Sequence, residues 1–481
     1  MKKPFYITTT LPYVNASPHM GHALEFIRAD IIARWKKSQD CEVFFNTGTD
    51  EHGQKLFDAA AKAGKEVKAY VDESAENFRK LLPLLGMTED IHFIRTTDPH
   101  HEKAARKFWE MVDENVYIYK KNYKARYCVG CEEAKTESEL ADGKCPIHDT
   151  VPQIIEEENY FFKLSSFGEK LLELYDARSH NIVPNFRMNE MREFIKDVLE
   201  DFSISRLKTK MAWGIPVPND PDHVMYVWFD ALINYISTLG WPENVKTFEK
   251  FWKNGTPTQY CGKDNTRFQS VMWQAMLMAA GLPPTHTVVV NGFVTREGGI
   301  KMSKSLDNVV DPVDIVSEYG TDALRYFVSR EVSPFEDSSF TMERFKSAYN
   351  TSLANGLGNL VSRVMKMAAT HLGKPVRIPE VHDGNIPADY EKALDSFDIQ
   401  AAANIIWRHV ADANRLIQEK APFKLVKTDK TRAVEIIRDL CARLYTIGVL
   451  LEPILPKTSE IIRRLARENK MPETSLFLRK E

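Results

Sequence analysis

The stretch FYITTTLPYVNASPHMGHALEFIRADIIAR, residues 5–34, decides the fold. Phe5 to Leu11 is aromatic and Thr-rich, the composition of a buried strand. From Met20 the apolar residues Met20, Leu24, Ile27 and Ile31 recur at steps of four and three, so one stripe of a helix faces a sheet. Between strand and helix, Pro12, Asn15, Ser17 and Pro18 make a loop that brings His19 and His22 to the helix start. Helix N-termini carry unpaired N–H groups and the positive end of the dipole, which favour an anion. Two imidazoles there suit a phosphate, and Gly21, without a side chain, lets a nucleotide lie against the backbone.

Reading outward, Glu42 to Thr47 is a second strand, ending at Gly48, Thr49, Asp50, Glu51, His52 and Gly53. Strand, helix, strand is a parallel crossover unit, and ligands of such sheets gather at the C-terminal ends of the strands. Asp50 therefore stands where a substrate ammonium can be held, unless it only caps a helix beginning near Gln54. Lys55 to Leu85 and Pro99 to Asn115 read as helices. Thr258 to Cys261, followed by Gly262, Lys263 and Asp264, and Val288 to Val294 read as further strands of the same sheet. Tyr226 to Tyr235 reads as a strand passing into a helix, with Trp228, Ala231 and Tyr235 on one face, a stripe that at this spacing is ordinarily core. After Gly298 and Gly299 comes Lys301, Met302, Ser303, Lys304, Ser305, a lysine-rich loop that by itself is ordinarily a solvated surface turn, though its lysines could close over phosphates.

The hydrophobic share of 43% and charged share of 27% describe a soluble globular chain, long enough at 481 residues for two to four domains. No signal peptide or membrane-length apolar run is present, so the expected location is the cytoplasm. Six cysteines, three of them between 128 and 145, exclude a disulfide framework less well than they suggest a metal in a reducing compartment. Cys128 and Cys131 pair as C-x2-C, and Cys145 and His148 as C-x2-H. Three thiolates and one imidazole at this spacing fit the closed tetrahedron of one structural Zn2+, which has no open position for chemistry. Net charge is −3 overall, yet residues 341–481 carry about +6, an asymmetry that lets a polyanion dock at the C-terminal end.

The His19-to-His22 and Lys301-to-Ser305 motifs, in this order, resemble the two signatures of the class I aminoacyl-tRNA synthetases, and over nearly the whole chain the resemblance is to the methionyl-tRNA synthetase family. The resemblance implies a parallel-sheet, Rossmann-like α/β catalytic domain in two halves, 1–117 and 206–340, split by a zinc-knuckle insert, 118–205, and followed by an all-α anticodon-binding domain, 341–481. It implies ATP and L-methionine as substrates, Mg2+ travelling with ATP, and tRNA(Met) as partner. His19, Gly21, His22, Arg206 and Lys304 would then bind ATP, with His19, His22, Lys301 and Lys304 catalytic. Leu11, Tyr13, Asp50, Trp228, Ala231, Tyr235, Asp264, Phe268 and Gln269 would hold methionine, rings around a thioether that leucine cannot match.

Two positions depart from the family pattern: Gln269 and Asn291 stand where most relatives have histidine, so an amide that cannot titrate replaces an imidazole. The insert leaves no room for the editing domain of the leucine, isoleucine and valine enzymes, and residues 5–22 lack the metal-binding cysteine of the cysteine enzyme. In the C-terminal part, Leu353, Leu357, Leu360 and Val361 form an apolar stripe, and Asn355, Asn359 and Arg363 a polar face. By resemblance that face, with Phe423 of Ala421-Pro422-Phe423, reads the anticodon; without the family it is a solvated helix face. The chain ends before the dimer-forming domain of some relatives, so a monomer is expected. Two other readings stay open: a class I synthetase for another apolar amino acid, and a tRNA-binding relative without catalysis.

Overall fold

The computed structural model describes residues 2–129, 133–135, 137–146, 149–295, 310–376 and 386–481. Its first strand, β1 (Phe5–Thr8), is wholly buried because both faces are covered: Phe5 and Ile7 point into one apolar core and Tyr6 into another, as the two-residue period of a strand requires. Helix α1 (Met20–Ser38) follows, with Met20, Leu24, Ile27 and Ile31 all buried. Strand β2 (Val43–Thr49) runs parallel to β1, Phe5 opposite Val43 and Thr8 opposite Asn46. The long helix expected after Lys55 is two, α2 (Gln54–Lys62) and α3 (Val67–Leu84), because Gly64 takes a left-handed φ of +66° between them. Strand β3 (His92–Arg95) and helix α4 (Pro99–Glu114) complete the first half.

The remaining strands of the main sheet are β4 (Ile182–Val183), β5 (Thr256–Gly262) and β6 (Thr287–Asn291). The order is β3-β2-β1-β5-β6-β4, and every pairing is parallel. The chain winds one way from β1 to β3 and the other way from β5 onward, so the switch point lies between β1 and β5. Crevices at that position are where doubly wound sheets bind ligands. Strand β4 comes from the stretch read as an insert: Ile182 pairs with Val288, so this segment lends an edge to the catalytic sheet. The rest of that stretch holds two helices, Gly168–Ala177 and Asn185–Val198, and a separate antiparallel sheet on a long hairpin, with Ile118–Cys128 against Gln153–Phe162.

The C-terminal part is helical. Beside the sheet lies α5 (Val227–Leu232), and in the C-terminal part Met342–Ala348 continues through a widened helical segment, Tyr349–Gly358, and then Asn359–His371, which is α6. Helices α7 (Ile399–Lys420), α8 (Lys430–Leu450) and α9 (Pro456–Glu468) pack around it. Their apolar faces join the core under the sheet: one continuous cluster runs from Ile7, Leu24 and Ile27 to Leu353, Leu360, Ile406 and Leu444. No helix among the described residues is long and apolar enough to cross a membrane.

A buried ion pair closes the junction. Arg325 and Asp30 are both 0% exposed, 2.8 Å apart. Arg325 also donates to the carbonyls of Ile454 and Pro453, each at 2.8 Å, and of Leu85 at 3.2 Å, while Asp30 accepts from the Thr88 N–H at 2.9 Å. Removing one partner strands a charge in the interior, at a cost of about 3–5 kcal/mol. Arg325→Met should lower the free energy of unfolding measured by urea denaturation by that amount; a loss below about 1 kcal/mol would show that Arg34, whose Nε lies 2.8 Å from Asp30, satisfies the carboxylate alone.

Candidate active site

The start of α1 is a cap built from two histidines. His19, in extended conformation at the N-cap, accepts the Gly21 N–H on Nδ1 at 3.0 Å, and His22 Nδ1 accepts the His19 N–H at 3.3 Å. The rings stack at 3.8 Å. Because each Nδ1 is an acceptor, the neutral rings carry their proton on Nε2, leaving a donor of fixed direction on each. A Cβ at Gly21 would lie 2.9 Å from His19 Cε1, so glycine is what lets the first ring fold over the helix end.

The loops after β1 and β2 are zipped together beside this cap. The Asp50 N–H donates to Pro12 O at 2.9 Å and the Val14 N–H to Asp50 O at 3.3 Å, so Tyr13 and Asp50 pair as a strand extension. Two residues on, His52 Nδ1 bonds Asp230 of α5 at 2.8 Å, and His101 of α4 bonds the other Asp230 oxygen at 2.9 Å and Ser237 at 2.9 Å. All four are buried. Burial alone would lower His52, but the Asp230 carboxylate outweighs it and raises its pKa; burial would raise Asp230, and the two imidazoles instead hold it low. This array ties the Asp50 loop to the helix that carries Trp228 and Ala231. Trp228 in turn stacks on Phe268 at 3.9 Å with ring planes 5° apart.

Between these walls lies a cleft of about 640 Å3 at the switch point. It is lined by Leu11, Tyr13, His19, Gly21, His22, Asp50, Trp228, Ala231, Tyr235, Asp264 and Phe268, residues drawn from across the sequence and brought to one place. Glu25, Thr10 and Asn234 also face it and carried no sequence signal of their own, and Asn291, which departs from the family pattern, faces it too. Gln269 is beside the cleft but fully buried. Its amide donates to Thr10 Oγ1 at 3.0 Å and accepts from Gln259 at 3.1 Å, and Gln259 in turn accepts from the Thr285 hydroxyl. An uncharged, one-directional chain of hydrogen bonds thus occupies the place expected to face the thioether.

Arg206 departs from expectation. It lies outside the cleft, sandwiched between the rings of Tyr127 at 5.0 Å and Tyr226 at 4.5 Å, and donates to Ser203 Oγ at 2.8 Å and Ser205 O at 2.7 Å. A planar guanidinium finds stacking and acceptors there together, which a phosphate site would have to outbid. Lys301 and Lys304 lie outside the described residues, as do Cys131 and His148. Cys128, at the end of its strand, is 1% exposed and Cys145 is 0% exposed, on a turn closed by the Cys145 N–H to Thr150 O at 2.9 Å. Among the described residues no group of three or more His, Cys, Asp or Glu is placed to hold a metal. Asn355 and Asn359 are exposed, Arg363 is half-buried, and Phe423 is 46% exposed beyond Ala421, whose left-handed φ of 39° turns the chain out of α7.

Glu25 sits half-buried at the cleft floor, accepting the Thr10 N–H at 2.6 Å. Burial, reinforced by the Asp264 charge, pushes its pKa from an ordinary 4.5 up to about 8. Between those values the folded chain keeps a proton that the unfolded chain releases, so stability falls as pH rises through this window. Glu25→Gln keeps an acceptor for Thr10 and removes the cost. Its Tm should match the parent near pH 4.5 and exceed it by a margin that grows to pH 8; a margin independent of pH would place the carboxyl in an ordinary environment.

The chain matches the family model described as tRNA synthetases class I (M) over residues 5–147 and 130–365, and that of the anticodon binding domain of methionyl tRNA ligase over residues 383–475. It is 42% identical to the methionine–tRNA ligase of Caldanaerobacter subterraneus over 471 residues, 95% of this chain and 73% of that one. With the ligase of Thermotoga maritima it shares 39% identity over 97% of this chain and 76% of that one. The structure of Mycobacterium tuberculosis methionyl-tRNA synthetase in complex with methionyl-adenylate superposes with a TM-score of 0.90 at 35% identity, covering 99% of this chain and all of that one. The free-state structure of that protein gives 0.83 at 32% identity. The chain belongs to the methionyl-tRNA synthetases, of class I.

Proposed function

We propose that the chain activates L-methionine with ATP, forming methionyl-adenylate and pyrophosphate, and passes the methionyl group to tRNA(Met) with release of AMP. The observation that carries this reading is the cleft at the switch point, where a phosphate-seeking helix start, the Asp50 carboxylate and a stacked aromatic wall meet. The methionine carboxylate attacks the α-phosphorus of ATP in line with the leaving pyrophosphate, so no side-chain nucleophile is needed. Catalysis is alignment plus stabilisation of charge on phosphate oxygens. His19 and His22 offer Nε2–H donors to that charge, with Lys301 and Lys304 supplying cations to the triphosphate. Mg2+ enters with ATP. Asp50 takes the ammonium, and Leu11, Tyr13, Trp228, Ala231, Tyr235 and Phe268 enclose the side chain, with Asp264 at the nucleotide side. Gln269 shapes this pocket through Thr10, since its amide is already engaged.

Cys128, Cys131, Cys145 and His148 would hold one Zn2+. The burial of Cys128 and Cys145 suits thiolates inside a closed site, and the metal would fasten the hairpin without taking part in chemistry. Asn355, Asn359, Arg363 and Phe423 would read the anticodon, Phe423 by stacking and the others by hydrogen bonding. The enzyme would act as a monomer in the cytoplasm.

ATP–pyrophosphate exchange on the zinc-replete protein, with each of the twenty amino acids offered separately, should respond to methionine alone. Lys304→Ala should reduce it by at least about 100-fold, as expected for loss of one electrostatic donor to the transition state. Exchange with a different amino acid would reassign the substrate. Chelation of zinc should release about one Zn2+ per chain and increase proteolysis between residues 118 and 160 before any other region; a chelated protein with unchanged cleavage kinetics would remove the structural metal from the reading.

A further inference from the structure

Asn291 closes β6 and faces the cleft, yet it is 2% exposed. Its Oδ1 accepts from Arg28 Nη1 at 3.0 Å, whereas its Nδ2 has no hydrogen-bond partner among the described residues. The amide cannot turn over to exchange the two. Arg28 is itself pinned by three carbonyls, Pro334 at 3.1 Å, Val332 at 3.1 Å and Ser333 at 2.8 Å, and a guanidinium only donates. Flipping the amide would set two donors face to face. A buried, oriented donor without a partner costs about 1–3 kcal/mol, so a site that keeps one in a ligand cleft is built for an acceptor.

The position along α1 says which acceptor. His22 stands at the phosphate-seeking end; Glu25, a turn further on, faces the cleft floor; Arg28, which fixes Asn291, follows another turn on. At 1.5 Å per residue this places the Asn291 anchor roughly 9 Å from the phosphate end, about the span from the α-phosphate across a ribose to its base. We propose that Asn291 donates from Nδ2 to a ring nitrogen of the adenine of ATP, with Arg28 as the positioning residue that aims it. The inference rests on the proposed ATP-dependent activation.

The test is methionine-dependent pyrophosphate exchange with the full chain, using ATP and its 1-deaza, 3-deaza and 7-deaza analogues, each lacking one ring nitrogen. For the parent, one analogue should show a KM raised about tenfold over ATP, the value of one lost hydrogen bond. Asn291→Ser should raise the KM for ATP by a similar factor, leave that for methionine within about twofold, and no longer distinguish ATP from that analogue. Asn291→Asp, which still accepts from Arg28 but presents an oxygen to the cleft, should be at least as impaired and serves also if the serine variant does not fold. Unchanged KM for ATP in a folded variant, a change confined to methionine, or persistence of the analogue effect in Asn291→Ser would overturn the assignment. A parent that exchanges with no amino acid would instead overturn the functional reading and this assignment with it.

Discussion

A sheet whose strands all run the same way ends all of them at one edge, and the layout of this molecule follows from that constraint. Each strand must return by a crossover, so every loop that leaves the C-terminal edge is free to carry function while the opposite edge is occupied by connections. The winding reverses between β1 and β5, which prevents the adjacent loops from covering one another and leaves a crevice. The His19–His22 cap occupies one side of it, Asp264 and Asn291 the other, and the loop bearing Asp50 is zipped onto the first. The cap has its tautomer fixed by backbone N–H groups, which also fixes the direction of the two rings.

Two buried carboxylates each accept from more than one donor. Asp230 accepts from two imidazoles on two different elements, and Glu51 accepts from Arg95, Thr49 and Thr97. Held low by its two imidazole partners, the Asp230 carboxylate keeps its charge in a dry place. It also fixes the distance between elements that apolar packing alone would leave adjustable, and in the Asp230 case those elements carry the candidate ammonium ligand and the aromatic wall.

Much of this was legible in the residues because its cause is local. The Met20, Leu24, Ile27, Ile31 stripe is buried, and His19 and His22 do stand at the helix start, since periodicity and capping act within a few residues. Trp228, Ala231 and Tyr235 share one face as their spacing implies, but that spacing reads as core, and only the family resemblance pointed to the cleft that they line. What could not be read joins distant segments. Asp230 meets His52 across 178 residues and His101 across 129, and neither histidine is distinguishable in sequence from a surface one. Arg206 was expected with the phosphates and instead lies between two tyrosines, because nothing in its neighbours shows that Tyr127 returns to meet it. Gln269 was read for what it could offer a ligand, while its partners come from elsewhere in the chain, Thr10 from the loop after β1 and Gln259 from β5.

The core that joins sheet and helices has a consequence for how such a chain can be remodelled. Ile7, Leu24 and Ile27 share one apolar cluster with Leu360, Ile406 and Leu444, and Arg325 clasps carbonyls from both ends of the sequence. A cut between the catalytic and helical parts would expose a greasy face on each fragment. The helical part is therefore not a cassette to be shuffled onto another synthetase by recombination. Change in the helical part is therefore confined to its exposed faces, such as those bearing Asn355, Asn359 and Phe423, with the buried seam kept intact.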